Sequence, residues 1–441
     1  MRRFALLVPG LALGLLLGTL AQAGDKVRPE LRAVADAYAE SGDLDAALAA
    51  LKQAHATPQE LLDTLRAPAR PADDPVPGVH TVDLKDGHGR ATDLLIVAPT
   101  AEQIKAHAQK GLGLVVCLHG LGGSSRQAQN VATRLAATGD VVAVAPSAKP
   151  LPQGEGTDDD GIPELFKNKH WWAYENPRSF PLEAIRVARS LYPIDTDRIL
   201  LSGMSMGGYG TWNIGLRRPD IFAGLAPLAG EISRFSVTSD QDAISKALCE
   251  NARNTPILSI HGDADSIVPY KPDKEACDYI NSIGGKAELR TLPGINHDLQ
   301  GVHQGRTENG DYLCKWLVQQ HRTSSPLAVT YVDVADRLDG AYWLRVATRE
   351  SGVKYPRLQG TIDRAKNRIS VEATGVELAR IYIDDRLLDL KKPVAVAIGT
   401  GTRVKKKLEP EFRAILESWR SRRDENLVYP AFVEVDPRAV Q

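Results

Sequence analysis

Ser205 sits at the centre of Gly203-Met204-Ser205-Met206-Gly207, directly after the apolar run Ile199–Ser202 and before a stretch of helical character. A serine at that point can act as a nucleophile. A sharp strand-to-helix turn presents its hydroxyl, and glycines two positions to either side avoid the clashes that a Cβ would cause. The hydroxyl needs a base to take its proton, and the base needs a carboxylate to fix its tautomer and stabilise the imidazolium. His297, in Gly294-Ile295-Asn296-His297, and Asp265, in Asp263-Ala264-Asp265-Ser266-Ile267-Val268-Pro269, supply those two types. Each lies just past a predicted strand, so a parallel sheet would bring all three to one edge. His303 is the reserve base. A lone His or Asp on a loop is ordinarily only solvated, but the ordered set is poorly explained that way.

His119-Gly120-Leu121-Gly122-Gly123 follows an earlier apolar strand, and a tight turn there leaves backbone N–H groups free. With the amide after the nucleophile, such donors would stabilise the oxyanion of a tetrahedral intermediate. Leu121 and Met206 are assigned that role, with Gly122 as the alternative to Leu121. His119 reads as a turn-stabilising residue. A phosphate cradle is excluded because no Gly-Lys-Ser/Thr follows. Residues 147–178 form a connection long enough to be a rim or lid. Its Trp171 and Trp172 are candidates for stacking on substrate, or equally a packed pair beneath a loop. Its Asp158-Asp159-Asp160 reads as a solvated turn, with a calcium site as the functional alternative. No dedicated metal or organic cofactor motif is present, and no Cys-x-x-Cys occurs among the four cysteines, Cys117, Cys249, Cys277 and Cys314. They allow three full pairings. Cys117, inside an apolar run, reads as a buried thiol.

The elements that must position these residues alternate between strand and helix. Leu112–Leu118 is continuously apolar, as expected of a strand covered on both faces. A helix near 126–137, the strand Val141–Ala145, a helix Leu182–Tyr192 and the strand at 199–202 follow. Phe222–Leu228, Ile257–Ile260 and Ala287–Leu292 read as further strands, and Asp311–His321 as a closing helix. Two strands near 79–85 and 91–98, joined at Asp86-Gly87, form a predicted hairpin ahead of them. This is an α/β class pattern with a mostly parallel sheet and flanking helices. Around it, residues 24–66 read as a short helical segment packed on the main domain, and 67–78 as a proline-rich linker. The catalytic unit spans 79–322, and 326–441 form a small mostly-β domain with one helix at Glu409–Arg420. Residues 1–23, with Arg2-Arg3, an apolar run and Ala21-Gln22-Ala23, have the layout of a cleaved signal peptide, so the chain is expected to be secreted or periplasmic. The formal charge of −1 favours neither nucleic acid nor an anionic membrane.

The run Asp197–Trp212 around Ser205 resembles the nucleophile region of secreted α/β-hydrolases, closest to the feruloyl esterase and polyhydroxybutyrate depolymerase group, with prolyl-oligopeptidase relatives nearby. The turn at 119–123 is similar to the oxyanion turn of carboxylesterase and acyl-thioesterase members, and Gly262–Pro269 to the acid loop. The resemblance covers about residues 79–321. It implies a serine esterase that uses Asp265 rather than Asp263; Asn296 before His297 departs slightly from the base motif. The implied partner is a small or polymer-linked ester, with no cofactor. Two other readings compete with it: a serine peptidase with the same triad, and a non-catalytic wall- or polysaccharide-binding protein with a vestigial hydrolase domain.

Overall fold

The computed structural model describes residues 27–68, 74–86, 89–148, 172, 179–232, 240–334, 339–398 and 402–438. The signal-peptide segment, Asp158–Asp160 and Trp171 lie outside them. No helix among the described residues is long and apolar enough to cross a membrane.

Eight strands form the large sheet: β1 (Gly78–Lys85), β2 (Ala91–Ala98), β3 (Leu112–Leu118), β4 (Val141–Pro146), β5 (Ile194–Met204), β6 (Gly224–Leu228), β7 (Ile257–Gly262) and β8 (Ala287–Leu292). Their order is β1-β2-β4-β3-β5-β6-β7-β8. β1 and β2 form the antiparallel hairpin, β2 runs antiparallel to β4, and every later pair is parallel. This is the α/β-hydrolase arrangement.

β3 shows why the central strands carry no polar alternation. Leu112, Leu114, Val116 and Leu118 enter the core on one face, while Val115 and Cys117 enter the core on the other. Both faces are covered, so both sets must be apolar. The first face is closed by residues of α4 (Ala101–Ala106) and by α6 (Phe180–Leu191), α7 (Met206–Arg217), α8 (Asp240–Asn251) and α9 (Tyr270–Ser282). The second is closed by α5 (Gln129–Ala136), α10 (Gln300–His303) and α11 (Glu308–Gln319). All four cysteines are buried and unbridged. Burial pushes the Cys117 thiol up to about 12, which leaves it an inert hydrophobe.

The first three helices, α1 (Pro29–Ser41), α2 (Leu44–Gln53) and α3 (Pro58–Arg66), form the N-terminal collar. Thr57 caps α3 in a full capping box with Glu60. The collar buries Leu31, Leu51, Leu61 and Leu65 against Ile415, Leu416 and Trp419 of α12 (Phe412–Arg422). The expected seat on the main domain is thus corrected: the apolar stripe of a C-terminal helix is the collar's partner.

The C-terminal unit has two sheets around one core. β10 (Gly340–Ala341), β11 (Leu344–Arg349), β14 (Val376–Ile383) and β17 (Ala431–Val435) make the first. The second has the order β16-β15-β13-β12-β9, built from β9 (Ala328–Val332), β12 (Arg357–Asp363), β13 (Arg368–Thr374), β15 (Val394–Ile398) and β16 (Thr402–Lys406). Trp343, fully buried, lies across Gly360 of β12, where any Cβ would strike its ring.

Candidate active site

The β5–α7 turn puts Ser205 at φ 58°, ψ −119°. A non-glycine residue holds such angles only where its surroundings over-determine them. Here its amide donates to the Leu228 carbonyl at 2.8 Å, and the neighbouring glycines permit the close approach of two strands. A Cβ on Gly207 would lie 2.3 Å from the Leu118 carbonyl oxygen, and one on Gly203 2.6 Å from that of Gly207.

Ser205 Oγ lies 2.9 Å from His297 Nε2, and His297 Nδ1 lies 2.7 Å from Asp265 Oδ2. Asp265 is fully buried on its side-chain atoms and also accepts from the Ile267 and Val268 amides at 2.9 and 2.8 Å through Oδ1. That fixes both oxygens of the carboxylate. The preference for Asp265 over Asp263 agrees with this geometry, because Asp263 instead accepts from the Gly294 amide at 2.6 Å and ties the acid turn to the base turn. Asn296 has a visible task too. Its Oδ1 accepts from the Ser266 amide at 2.9 Å and from the His297 amide at 2.8 Å, a second tie between those turns. His303 is buried on α10, and burial, with His119 nearby, pushes its ring down to about 4. It is a neutral core histidine, not a base facing Ser205.

The turn after β3 lies over the nucleophile: a Cβ on Gly120 would sit 3.6 Å from Ser205 Cβ. The Gly120 amide donates to Gln127 Oε1 at 3.2 Å and the Gly123 amide to the Gly120 carbonyl at 3.1 Å. Among the described residues the amides of Leu121 and Gly122 have no such acceptor, and Met206, as the first residue of α7, has an N–H without an intrahelical partner. These are the donors an oxyanion could use. His119 Nε2 accepts from the Ala148 amide at 2.9 Å, so its Nδ1 carries the proton and donates to the Gly120 carbonyl at 2.7 Å.

Trp172 requires a correction. It is 1% exposed, its indole N–H donates to the His119 carbonyl at 3.0 Å, and its ring lies 4.7 Å from that of His119. It braces the turn from beneath and offers no face to a substrate. Three aliphatic side chains are exposed on the turns that carry the site: Leu121, Ile267 and Ile295. Sequence reasoning missed Gln127, His261 and Asp273, whose positions matter only through packing partners. Among the described residues no group of three His, Cys, Asp or Glu side chains could hold a metal ion.

Residues 179–305 match the phospholipase/carboxylesterase family. The chain is 27% identical over 176 residues to the protein named "Probable carboxylesterase SOBER1-like" of Arabidopsis thaliana, a match covering 40% of this chain and 58% of that one. It is 32% identical over 108 residues to lysophospholipase-like protein 1 of Mus musculus, covering 24% and 42% of the two. The chain thus spans about half the length of these curated relatives. Among solved structures, a thermostable esterase is similar with a TM-score of 0.42 at 24% identity, over 55% of this chain and 63% of that one.

Proposed function

We propose that this chain hydrolyses carboxylic esters through an acyl-enzyme formed on Ser205. The observation that carries the reading is the continuous hydrogen-bonded line Ser205 Oγ–His297–Asp265 at the head of α7. His297 Nε2 takes the proton as Oγ attacks the ester carbonyl, and Asp265 holds the opposite N–H and stabilises the imidazolium that forms. The amides of Met206 and Leu121, with Gly122 beside them, receive the oxyanion. His297 then delivers its proton to the departing alcohol. Water repeats the sequence in reverse: its proton goes to His297 and its oxygen to the acyl carbon, and Ser205 Oγ leaves as the free hydroxyl. The carboxylesterase and lysophospholipase-like names of the relatives support an acyl–oxygen bond as the target. The aliphatic Leu121, Ile267 and Ile295 at the rim support an apolar portion in the substrate. Action outside the cytoplasm is part of the proposal and rests on residues 1–23.

The test is turnover of a chromogenic ester series of increasing acyl length, alongside a peptide amide, by wild type and Ser205→Ala. Ester turnover should fall by about 10⁴-fold or more in the variant. Turnover that persists in Ser205→Ala removes the assignment, and amide turnover well above ester turnover replaces the esterase with a peptidase.

A further inference from the structure

We propose that His261 is a positioning residue for the candidate triad: a doubly protonated ring, held between Asp273 and Asp265, that keeps the Asp265 carboxylate aimed at His297. The consequence for reactivity rests on the hydrolase reading; the geometry does not. His261 on β7 and Asp273 on α9 are both 0% exposed. His261 Nδ1 lies 3.0 Å from Asp273 Oδ2. Its Nε2 lies 3.1 Å from the Val268 carbonyl oxygen and 3.4 Å from Asp265 Oδ2, the same oxygen that meets His297.

Both ring nitrogens therefore face oxygen acceptors. A neutral imidazole has one N–H and one bare lone pair, and either tautomer would set that lone pair against an acceptor. A charged ring donates at both ends. Asp273 needs that charge as much as His261 needs the acceptors, since a buried carboxylate persists only beside compensation. Its Oδ2 also accepts from Ser259 Oγ, and its Oδ1 has no hydrogen-bond partner among the described residues. Tyr270 meets the His261 ring edge-on at 5.8 Å and shares a hydrogen bond with Thr291. The thiols of Cys249 and Cys277 near Asp273 are pushed upward by burial and stay neutral. Burial also works against a charged His261, but the hydrogen bond and charge of Asp273, with Val268 and Asp265, outweigh it and hold the ring above its ordinary range.

Asp273 and His261 together carry no net charge, so the negative charge that supports an imidazolium at His297 is Asp265's own, opposed only by the nearer, cationic end of the pair. What the pair adds is direction. Asp265 Oδ1 is fixed by two amides, and Oδ2 is fixed between two rings.

The test uses the full chain as wild type, His261→Gln and Asp273→Asn. In wild type, ¹⁵N spectra should show both His261 ring nitrogens protonated at pH 7. In either variant the low-field proton of the His297–Asp265 bond should exchange about tenfold faster. With the nearby cation gone, the acid limb of Ser205 labelling by a fluorophosphonate should move up by about one pH unit. A bare nitrogen on wild-type His261 overturns the proposal even if both variants fail to fold. So do folded variants whose low-field proton and acid limb match wild type. If wild type resists labelling altogether, the hydrolase reading falls, and the ring nitrogens and low-field proton still decide the role of His261.

Discussion

A serine with positive φ, a histidine within 2.9 Å of its oxygen and a carboxylate behind that histidine are three residues whose types were legible before any geometry was known. They were legible because each is tied to a short local pattern: two glycines about a serine, an aspartate ahead of Val-Pro, a histidine past a strand. Residues that work through a distant partner leave no such pattern. His261 and Asp273 are twelve positions apart, and nothing in either neighbourhood says that one faces the other. His303 shows the converse, a histidine of the right type in the right region that burial excludes from the chemistry. Its ring, at about 4 when folded and near 6.5 when unfolded, binds a proton more readily in the unfolded chain. Its depressed value means that its contribution to stability is complete above about pH 6.5 and is lost as pH falls toward 4. The loss reaches about 3 kcal/mol near pH 4. In urea unfolding at a series of pH values, His303→Leu should flatten that part of the slope; a variant with the wild-type slope assigns it to other groups.

At the scale of elements, the site is three turns held by their backs. The turn after β3 is fastened by Gln127 above and Trp172 below, and the latter bond fixes the His119 carbonyl. Trp172→Phe keeps an aromatic ring, smaller than the indole, and removes the donor. It should lower stability by about 1–2 kcal/mol, and, on the proposed reading in which this turn's amides meet an oxyanion, lower kcat about tenfold with KM little changed. Thermal unfolding and ester kinetics on the same sample separate the two, and an unchanged kcat would make Trp172 packing alone. Gly207→Ala strikes the backbone oxygen of Leu118 rather than a flexible side chain. Its expected cost is about 3 kcal/mol or more, with loss of turnover, in a melting scan and the same assay. Strand cores were readable from continuous apolar runs, as in β3 and β4. The apolar pattern of β5 shows only its second half, because its first half is Ile194-Asp195-Thr196-Asp197-Arg198. Polar residues hide a strand when tertiary partners absorb them. Arg198, buried, meets Asp140 at 2.8 Å, and Asp197 meets Arg322 at 2.6 Å.

At the scale of the whole molecule, polar residues of β5 also join the main sheet to the C-terminal unit: Thr196 Oγ1 donates to Asp424 at 2.8 Å and Asn426 Nδ2 to Asp197 at 3.0 Å. Arg322, with a fully buried side chain, bridges Asp197 of β5 and Asp424 beyond α12, the latter at 2.8 Å. Asp220, also fully buried, accepts from Arg422 of α12 at 2.9 Å and from the Tyr342 amide at 2.9 Å. Although burial alone would raise it, Arg422 and Arg345 hold the Asp220 carboxyl below its usual range. Asp339 joins the seam through Arg218 and Arg422. Removing one side of a buried ionic contact leaves the other uncompensated, at about 3–5 kcal/mol for each such pair. Arg322→Met should therefore destabilise the whole chain by that order. The collar adds to the dependence, because α12 is the surface on which it buries its leucines. A tethered binding module would have none of these properties, since linkers run between units that fold apart. Deleting 326–441 should accordingly yield an insoluble or non-cooperatively melting protein with lost Ser205 labelling. A truncated chain that melts and labels like the full one, and differs only in retention on insoluble polymer, would instead make this unit a targeting module despite the seam.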